Sequence, residues 1–246
     1  MEIQVLGYWG TYPEAGEATT GFLVNTGNER ILLDCGSGVL SQLFKVAGIA
    51  QLDAVVVTHH HHDHVADLGV LSYALLLSRL QGTRTRPLPI YLPEAATPAV
   101  ADLQGEPLAE VHWIDTDSVL KLAGTTLRFV ETTHPLYCLA PRFEANGKAF
   151  VFSGDSSWNE DLLLHAADAD LFVCEASMYR GMEKQAKGAG HLTSHQVGQM
   201  GAAAGVKQLA LTHYPHYGDV DILVREATEA FGKPVRRVHT LDVLPV

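Results

Sequence analysis

Residues Ala54 to Val65 read AVVVTHHHHDHV, with five histidines in the six positions from 59 to 64 and only Asp63 between them. The tract follows LDAVVVT (52–58), an apolar run with the composition of a strand buried on both faces. It runs into HVADLGVLSYALLLSRL (64–80), whose period and composition predict a buried helix. Expression tags sit at termini, and metal-sequestering tracts lie in flexible polar segments, so neither reading suits a run held between a core strand and a helix. Written as His59-x-His61-x-Asp63-His64, the tract allows a third reading. Just past a strand end, residues two apart project on the same side, so His59 and His61 can share one metal. Asp63 and His64, where the helix starts, can face a second metal beside it. His60 and His62 fill the intervening positions and are expected to line the site or meet solvent.

Two metals need more donors than one tract supplies, and imidazole with carboxylate suits zinc, manganese or iron. Further donors stand at the ends of predicted strands: His134 closes LRFVETTH, Asp155 closes AFVFSGD and His213 closes KQLALTH. Asp155, with two oxygens, can bridge both metals. One strand-end histidine is ordinarily structural or exposed, but seven such residues in this arrangement are hard to explain by packing. Asp34, in LLDCG, follows a strand and reads on its own as an aspartate that starts a turn.

The rest of the chain is consistent with a globular enzyme. It has 246 residues, 47% hydrophobic and 18% charged, which provides a real core and argues against disorder. A single domain over 1–246 is expected. Three cysteines, Cys35, Cys138 and Cys174, lie in separate apolar contexts and do not form a disulfide framework. With no signal peptide and no membrane span evident, the expected location is the cytoplasm. The formal net charge of −11 argues against a long nucleic-acid partner.

Strand candidates EIQVLGYW, TGFLVNT and RILLDCG open the chain, followed by helical spacing in GVLSQLFKVAGI (38–49). PIYLP reads as a strand and TPAVADLQG (97–105) as a short helix. Strands return from EVHWID to AFVFSGD, with EANGKA (144–149) as a hairpin turn. Helices NEDLLLHAA, SHQVGQMGAAAG and DVDILVREATEAFG then alternate with strands DLFVCEA and KQLALTH, and VRRVHTLDV (235–243) closes the chain as one strand. The pattern predicts an α/β protein in which two sheets pack face to face with helices outside, a four-layer αββα sandwich.

His59-x-His61-x-Asp63-His64 followed in order by His134, Asp155 and His213 resembles the metallo-β-lactamase superfamily, over nearly the whole chain. The resemblance implies the αββα fold and a dinuclear site. His59, His61, His134 and Asp155 would hold one metal, and Asp63, His64, Asp155 and His213 the other. It also implies that Asp34 supports a ligand histidine from behind, as outer-shell carboxylates do. The two divalent ions are expected to be zinc, with manganese or iron as alternatives.

Lactamases, lactonases, nucleases and phosphodiesterases share such a site, so other residues must select among them. HLTSHQ (191–196), before a predicted helix and ahead of His213, is similar to the His-x-Thr element of the ribonuclease Z branch. That resemblance makes His191 the acid that protonates a leaving oxygen; the plainer reading is a residue that caps or lines the start of the helix. SGDS around Asp155 is similar to the same branch. Ribonuclease Z proper carries a long tRNA-gripping arm between the positions of His134 and Asp155, whereas only 20 residues separate them here. The pattern is closer to compact, armless relatives that hydrolyse cyclic nucleotides, as GEATTGFLV (16–24) and THPLYCLAPRFE (133–144) also indicate. Relatives of this kind often dimerise, which implies a homodimer.

Arg180, Lys184 and Lys187, against one acid in SMYRGMEKQAKGAG, form a basic segment before His191 and are candidate substrate contacts; a solvated loop is the plain alternative. Arg79, Arg84 and Arg86, at the far end of the long helix, read as surface. The expected activity is hydrolysis of a small phosphodiester by a metal-activated hydroxide, with Asp63 orienting the water and His191 as general acid. The rival classes are a ribonuclease Z-type endonuclease, a lactonase or β-lactamase-like acyl hydrolase, and a non-catalytic nucleotide-binding scaffold.

Overall fold

A computed structural model describes residues 1–104 and 108–246. Six strands build the first sheet in chain order: β1 (Glu2–Gly7), β2 (Gly21–Asn25), β3 (Arg30–Leu33), β4 (Ala54–Val56), β5 (Leu88–Leu92) and β6 (Ala109–Trp113). The second sheet follows with β7 (Val119–Lys121), β8 (Thr125–Glu131), β9 (Leu139–Ala145), β10 (Lys148–Phe152), β11 (Leu171–Glu175), β12 (Gln208–Thr212) and β13 (Val235–Arg237). The last strand, β14 (Val243–Pro245), returns to the first sheet and pairs antiparallel with β1. Strands β3 to β6 run parallel, as do β10 to β13.

Side-chain alternation explains the layers. In β3, Ile31 and Leu33 face the second sheet, while Leu32 faces outward into a separate core. The central core joins both sheets, with Phe22 of β2 packed 5.2 Å from Phe152 of β10 between ring centroids. Fully burying such a side chain contributes about 1.5–3 kcal/mol, so the layer between the sheets adds stability with each residue it buries. The outer core of the first sheet is filled by helices α1 (Val39–Leu43), α2 (His62–Val65), α3 (Leu68–Leu80) and α4 (Pro98–Gln104). Helices α5 (Glu160–His165), α6 (Glu183–Ala189), α7 (Ser194–Ala203) and α8 (Val220–Phe231) belong to the second half, where α7 packs on β11 and β12. The molecule is therefore the expected αββα sandwich.

Local differences have physical causes. The segment 235–243 is two strands in two sheets, because His239 to Asp242 form a turn: the His239 N–H donates to the Asp242 carboxylate, and Leu241 has φ 68°. The segment 64–80 is two helices. Asp67 turns its carboxylate to the Leu40 N–H at 3.0 Å and its own N–H to the Cys35 carbonyl, interrupting the helical ladder. Helix α3 is also not buried all round, for Val70, Tyr73, Leu77 and Leu80 are exposed. Of the three arginines read as surface, Arg84 is buried and donates to the carbonyls of Ile49, Leu52 and Pro87. The helix expected over 97–105 covers Pro98–Gln104; Gly105 lies outside the described residues.

Candidate metal centre

The C-terminal ends of the parallel strands open at one rim, where ligands gather in α/β sheets. Strand β4 runs through Val57 and Thr58 into His59. The short turn of α2 follows, and its His64 N–H bonds back to the His61 carbonyl at 2.9 Å. Strand β8 leads to His134, β10 to Asp155, and β12 directly to His213. Three residues at this rim hold the left-handed backbone region without being glycine: Thr11 (φ 62°), Asp34 (φ 57°) and His213 (φ 57°). Such backbone is costly, by about 1–3 kcal/mol each, and persists where surrounding contacts over-determine it. Gly10 is needed for a different reason. A Cβ there would fall 2.7 Å from the His213 ring.

Donor atoms from these segments fall into two adjoining sets. In the first, His61 Nδ1 lies 3.1 Å from His59 Nε2 and 2.9 Å from His134 Nε2, and Asp155 Oδ2 lies 3.7 Å from His59 Nε2. In the second, His213 Nε2 lies 3.1 Å from Asp63 Oδ2, and His64 Nε2 lies 3.9 Å from that oxygen. Asp155 joins the sets, with Oδ1 3.4 Å from His64 Nε2 and Oδ2 3.3 Å from His213 Nε2. Metal bonds of ~2.0 Å in a tetrahedron put donors ~3.3 Å apart, so the spacings suit shared cations. Two atoms make the same point. His64 Nε2 and Asp155 Oδ1 are buried and lack a hydrogen-bond partner, a cost that a bound cation removes.

The opposite ring nitrogens are held from behind, which fixes each ring's orientation. His64 Nδ1 is 2.7 Å from Asp34 Oδ2, and Asp34 in turn accepts from the Thr58 N–H and hydroxyl. His134 Nδ1 is 3.0 Å from the Gly190 carbonyl, His213 Nδ1 is 2.8 Å from Ser177 Oγ, and His59 Nδ1 is 3.0 Å from Thr58 Oγ1. Burial and the neighbouring imidazoles push His59 well below the usual histidine range, toward the neutral form a metal needs. Burial would raise Asp63, but hydrogen bonding from His213 and the charge of His64 hold it well below the usual carboxylate range.

A family model described as the Beta-lactamase superfamily domain matches residues 29–214. The chain belongs to the β-lactamase superfamily. It is 36% identical over 235 residues to "Probable metallo-hydrolase YhfI" of Bacillus subtilis, with 96% of each chain covered. The crystal structure of the metallo-β-lactamase fold protein YhfI superposes with a TM-score of 0.94 and 34% identity, covering 99% of this chain and 98% of that one. Ribonuclease Z of Haloarcula marismortui is 25% identical over 296 residues, covering 96% of this chain and 93% of its own. Human tRNase Z, short form, shares the fold at a TM-score of 0.79 and 20% identity, with 100% of this chain and 99% of that one covered. This member of the superfamily is thus a metal-dependent hydrolase with the metallo-β-lactamase fold, carrying a His and Asp cluster able to bind metal ions.

In this superfamily member, all seven residues singled out as ligands lie at the rim, and Asp34 stands behind His64. His191 lies at the same rim, grouped with Asp155 and His213. His60 points elsewhere, to the Pro93 carbonyl at 2.7 Å, and His62 is exposed. Arg180 extends toward α8, 3.7 Å from Glu229, rather than toward the cluster, while Lys184 and Lys187 are exposed on α6. Two residues escaped the reading of the sequence. Glu175, fully buried, accepts from the Ser156 N–H and lies 2.9 Å from His191 Nδ1; Ser177 donates to Glu175 and meets His213. The available signal was an acid closing the apolar strand DLFVCE. Burial alone would lower the His191 imidazole, but Glu175, with Asp155 and Asp63, pushes it up to about 9. Among the described residues no helix is long and apolar enough to cross a membrane.

Proposed function

We propose that the chain is a phosphodiesterase acting on cyclic nucleotides or other small phosphodiesters. His59, His61, His134 and Asp155 would hold one divalent cation and Asp63, His64, Asp155 and His213 a second, with zinc as the favoured ion and manganese or iron as alternatives. Bound cations supply Lewis acidity toward a phosphoryl oxygen and lower the pKa of water toward roughly 7.

The carrying observation is His191. Its Nδ1 is fixed by a buried carboxylate beside the donor cluster, so its other ring nitrogen is free to present a proton. Phosphodiester cleavage expels an alkoxide, a poor leaving group that gains from an acid; such help is typically worth ~10²–10⁴ in rate. Asp63 stays ionised and accepts the Thr11 N–H at 2.8 Å, which leaves a carboxylate to orient the attacking water or take its proton. Lys184 and Lys187 add positive charge on α6, whose last turn is tied to His191 through the Ala186 carbonyl.

Similarity to ribonuclease Z favours a second reading, cleavage of an RNA chain. Against it stand the net charge of −11 and the use of residues 135–154 for a short loop and the β9–β10 hairpin. The deciding experiment assays metal-loaded protein side by side on 2′,3′- and 3′,5′-cyclic nucleotides, dinucleotides, precursor tRNA and a lactone. Turnover confined to the small phosphodiesters is expected. Preference for the lactone or for precursor tRNA would overturn the reading.

A further inference from the structure

We propose that the cavity beside His191 is a stacking slot for the base of the nucleoside that carries the leaving oxygen. This deepens the phosphodiesterase reading and rests on it. The cavity measures about 330 Å³, within the ~300–1,000 Å³ usual for small-molecule sites, and its walls include Tyr12, Met178, His191, His213, His216 and Tyr217. Its lining includes no lysine, arginine, aspartate or glutamate.

The walls are flat rings already locked in place. Tyr12 stacks on His216 with centroids 3.6 Å apart and planes 6° from parallel, and Trp9 stacks on His216 at 4.8 Å and 18°. His216 cannot turn freely, because Nε2 meets the carbonyls of Tyr12 at 2.7 Å and Gly10 at 3.1 Å, while Nδ1 lies 3.0 Å from Glu14. Tyr217 is braced by Tyr179, with ring centroids 5.8 Å apart and the Tyr179 hydroxyl donating to the Tyr217 carbonyl at 2.9 Å. The turn that presents it requires Gly218: φ is +76°, and a Cβ would fall 2.3 Å from the Tyr179 hydroxyl. Yet Tyr12 is 56% exposed and Tyr217 50% exposed. Rigid aromatic surface left wet beside a reactive cluster is surface prepared for a ligand.

The position identifies the ligand portion. The oxygen that receives a proton from His191, and the nucleoside that carries it, lie on the His191 side, which opens into this cavity. No lysine or arginine lines the cavity to hold a further phosphate, whereas every base has a π-face that stacks on Tyr. The slot therefore selects a terminal nucleoside over a continuing polynucleotide.

The test measures binding rather than turnover. Adenosine 5′-monophosphate and ribose 5-phosphate are titrated by calorimetry into the metal-loaded protein, as wild type, Tyr217→Ala, Tyr217→Phe and Tyr12→Ala. Circular dichroism checks that each variant is folded. The wild type should bind the nucleotide about tenfold more tightly than the sugar phosphate or better, a ratio typical of one stacked base. Tyr217→Ala should bring the ratio close to one, and Tyr217→Phe should keep it. Equal affinities in the wild type, or a ratio untouched in both alanine variants, would overturn the slot. A protein that shows the ratio yet cleaves no phosphodiester would overturn the phosphodiesterase reading instead, so the two failures are told apart.

Discussion

Nδ1 of His191 stands 2.9 Å from Oε1 of Glu175, a carboxylate with no solvent exposure. Glu175 is oriented in turn by the Ser156 N–H at 2.8 Å and the Ser177 hydroxyl at 2.6 Å. The pair fixes which ring nitrogen faces the cluster and favours the imidazolium, which is the form an acid must have before it acts. Burial opposes this, and the carboxylate wins, with Asp155 and Asp63 adding to it.

Neutralising that carboxylate should therefore weaken the acid, while Ser177, which links Glu175 to His213, keeps a side-chain oxygen to bond in Glu175→Gln. Glu175→Gln is expected to lower the His191 pKa and move the alkaline limb of the pH–rate profile to lower pH. Unchanged metal content by elemental analysis with an unmoved limb would show that Glu175 serves packing alone.

His191→Ala should retain metal and lose about 10²–10⁴ in kcat on diesters with alkoxide leaving groups. Bis(p-nitrophenyl) phosphate, whose leaving group needs little protonation, should suffer far less. Equal losses on both substrates would remove His191 from the acid's role.

The difference between these residues also explains what the sequence could reveal. Four of the seven donors share the tract that follows one apolar run, the other three each end a predicted strand, and their order along the chain carries a recognisable pattern, so the cluster is legible in the sequence. Glu175 also closes an apolar run, but its partner His191 lies in a different segment, and only the packing of β11 beside the loop before α7 joins them. The split of 235–243 was hidden for a similar reason. Both halves have strand composition, and the His239–Asp242 turn that separates them depends on a side chain bonding a backbone N–H. The break at Asp67 likewise depends on Leu40, which is remote in sequence.

After chelation, the His191–Glu175 pair should leave a signature in stability. The folded pKa of about 9 exceeds the ordinary 6.5, so the contribution is fully present below about pH 6.5 and is lost as pH rises through about 9. Thermal melts of chelated wild type and chelated His191→Gln between pH 6 and 10 should converge at the alkaline end. Parallel curves across that window would contradict the raised pKa.

Asp34 should matter for metal affinity rather than for chemistry. Its carboxylate holds His64 Nδ1, and loss of such a partner typically costs about 10–100-fold in metal affinity. Asp34→Asn keeps the shape and tolerates the left-handed backbone at φ 57°, whereas Asp34→Ala loses both and should melt lower. Competition with a chromogenic chelator separates the two effects. Wild-type affinity in Asp34→Asn would place the hold on His64 elsewhere.

Gly10→Ala is the sharpest steric test of the second donor set. The added methyl would sit 2.7 Å from the His213 ring, and that ring has little room to retreat, since Ser177 grips Nδ1 and the left-handed backbone at φ 57° limits adjustment. His213 should be displaced from Asp63 and Asp155, whereas His59, His61 and His134, which Gly10 does not approach, keep their places. Metal content should then fall toward one ion per chain, with hydrolysis reduced in step. Full occupancy in a folded Gly10→Ala protein would mean that His213 is not a ligand, and the two-cation arrangement would have to be redrawn without it.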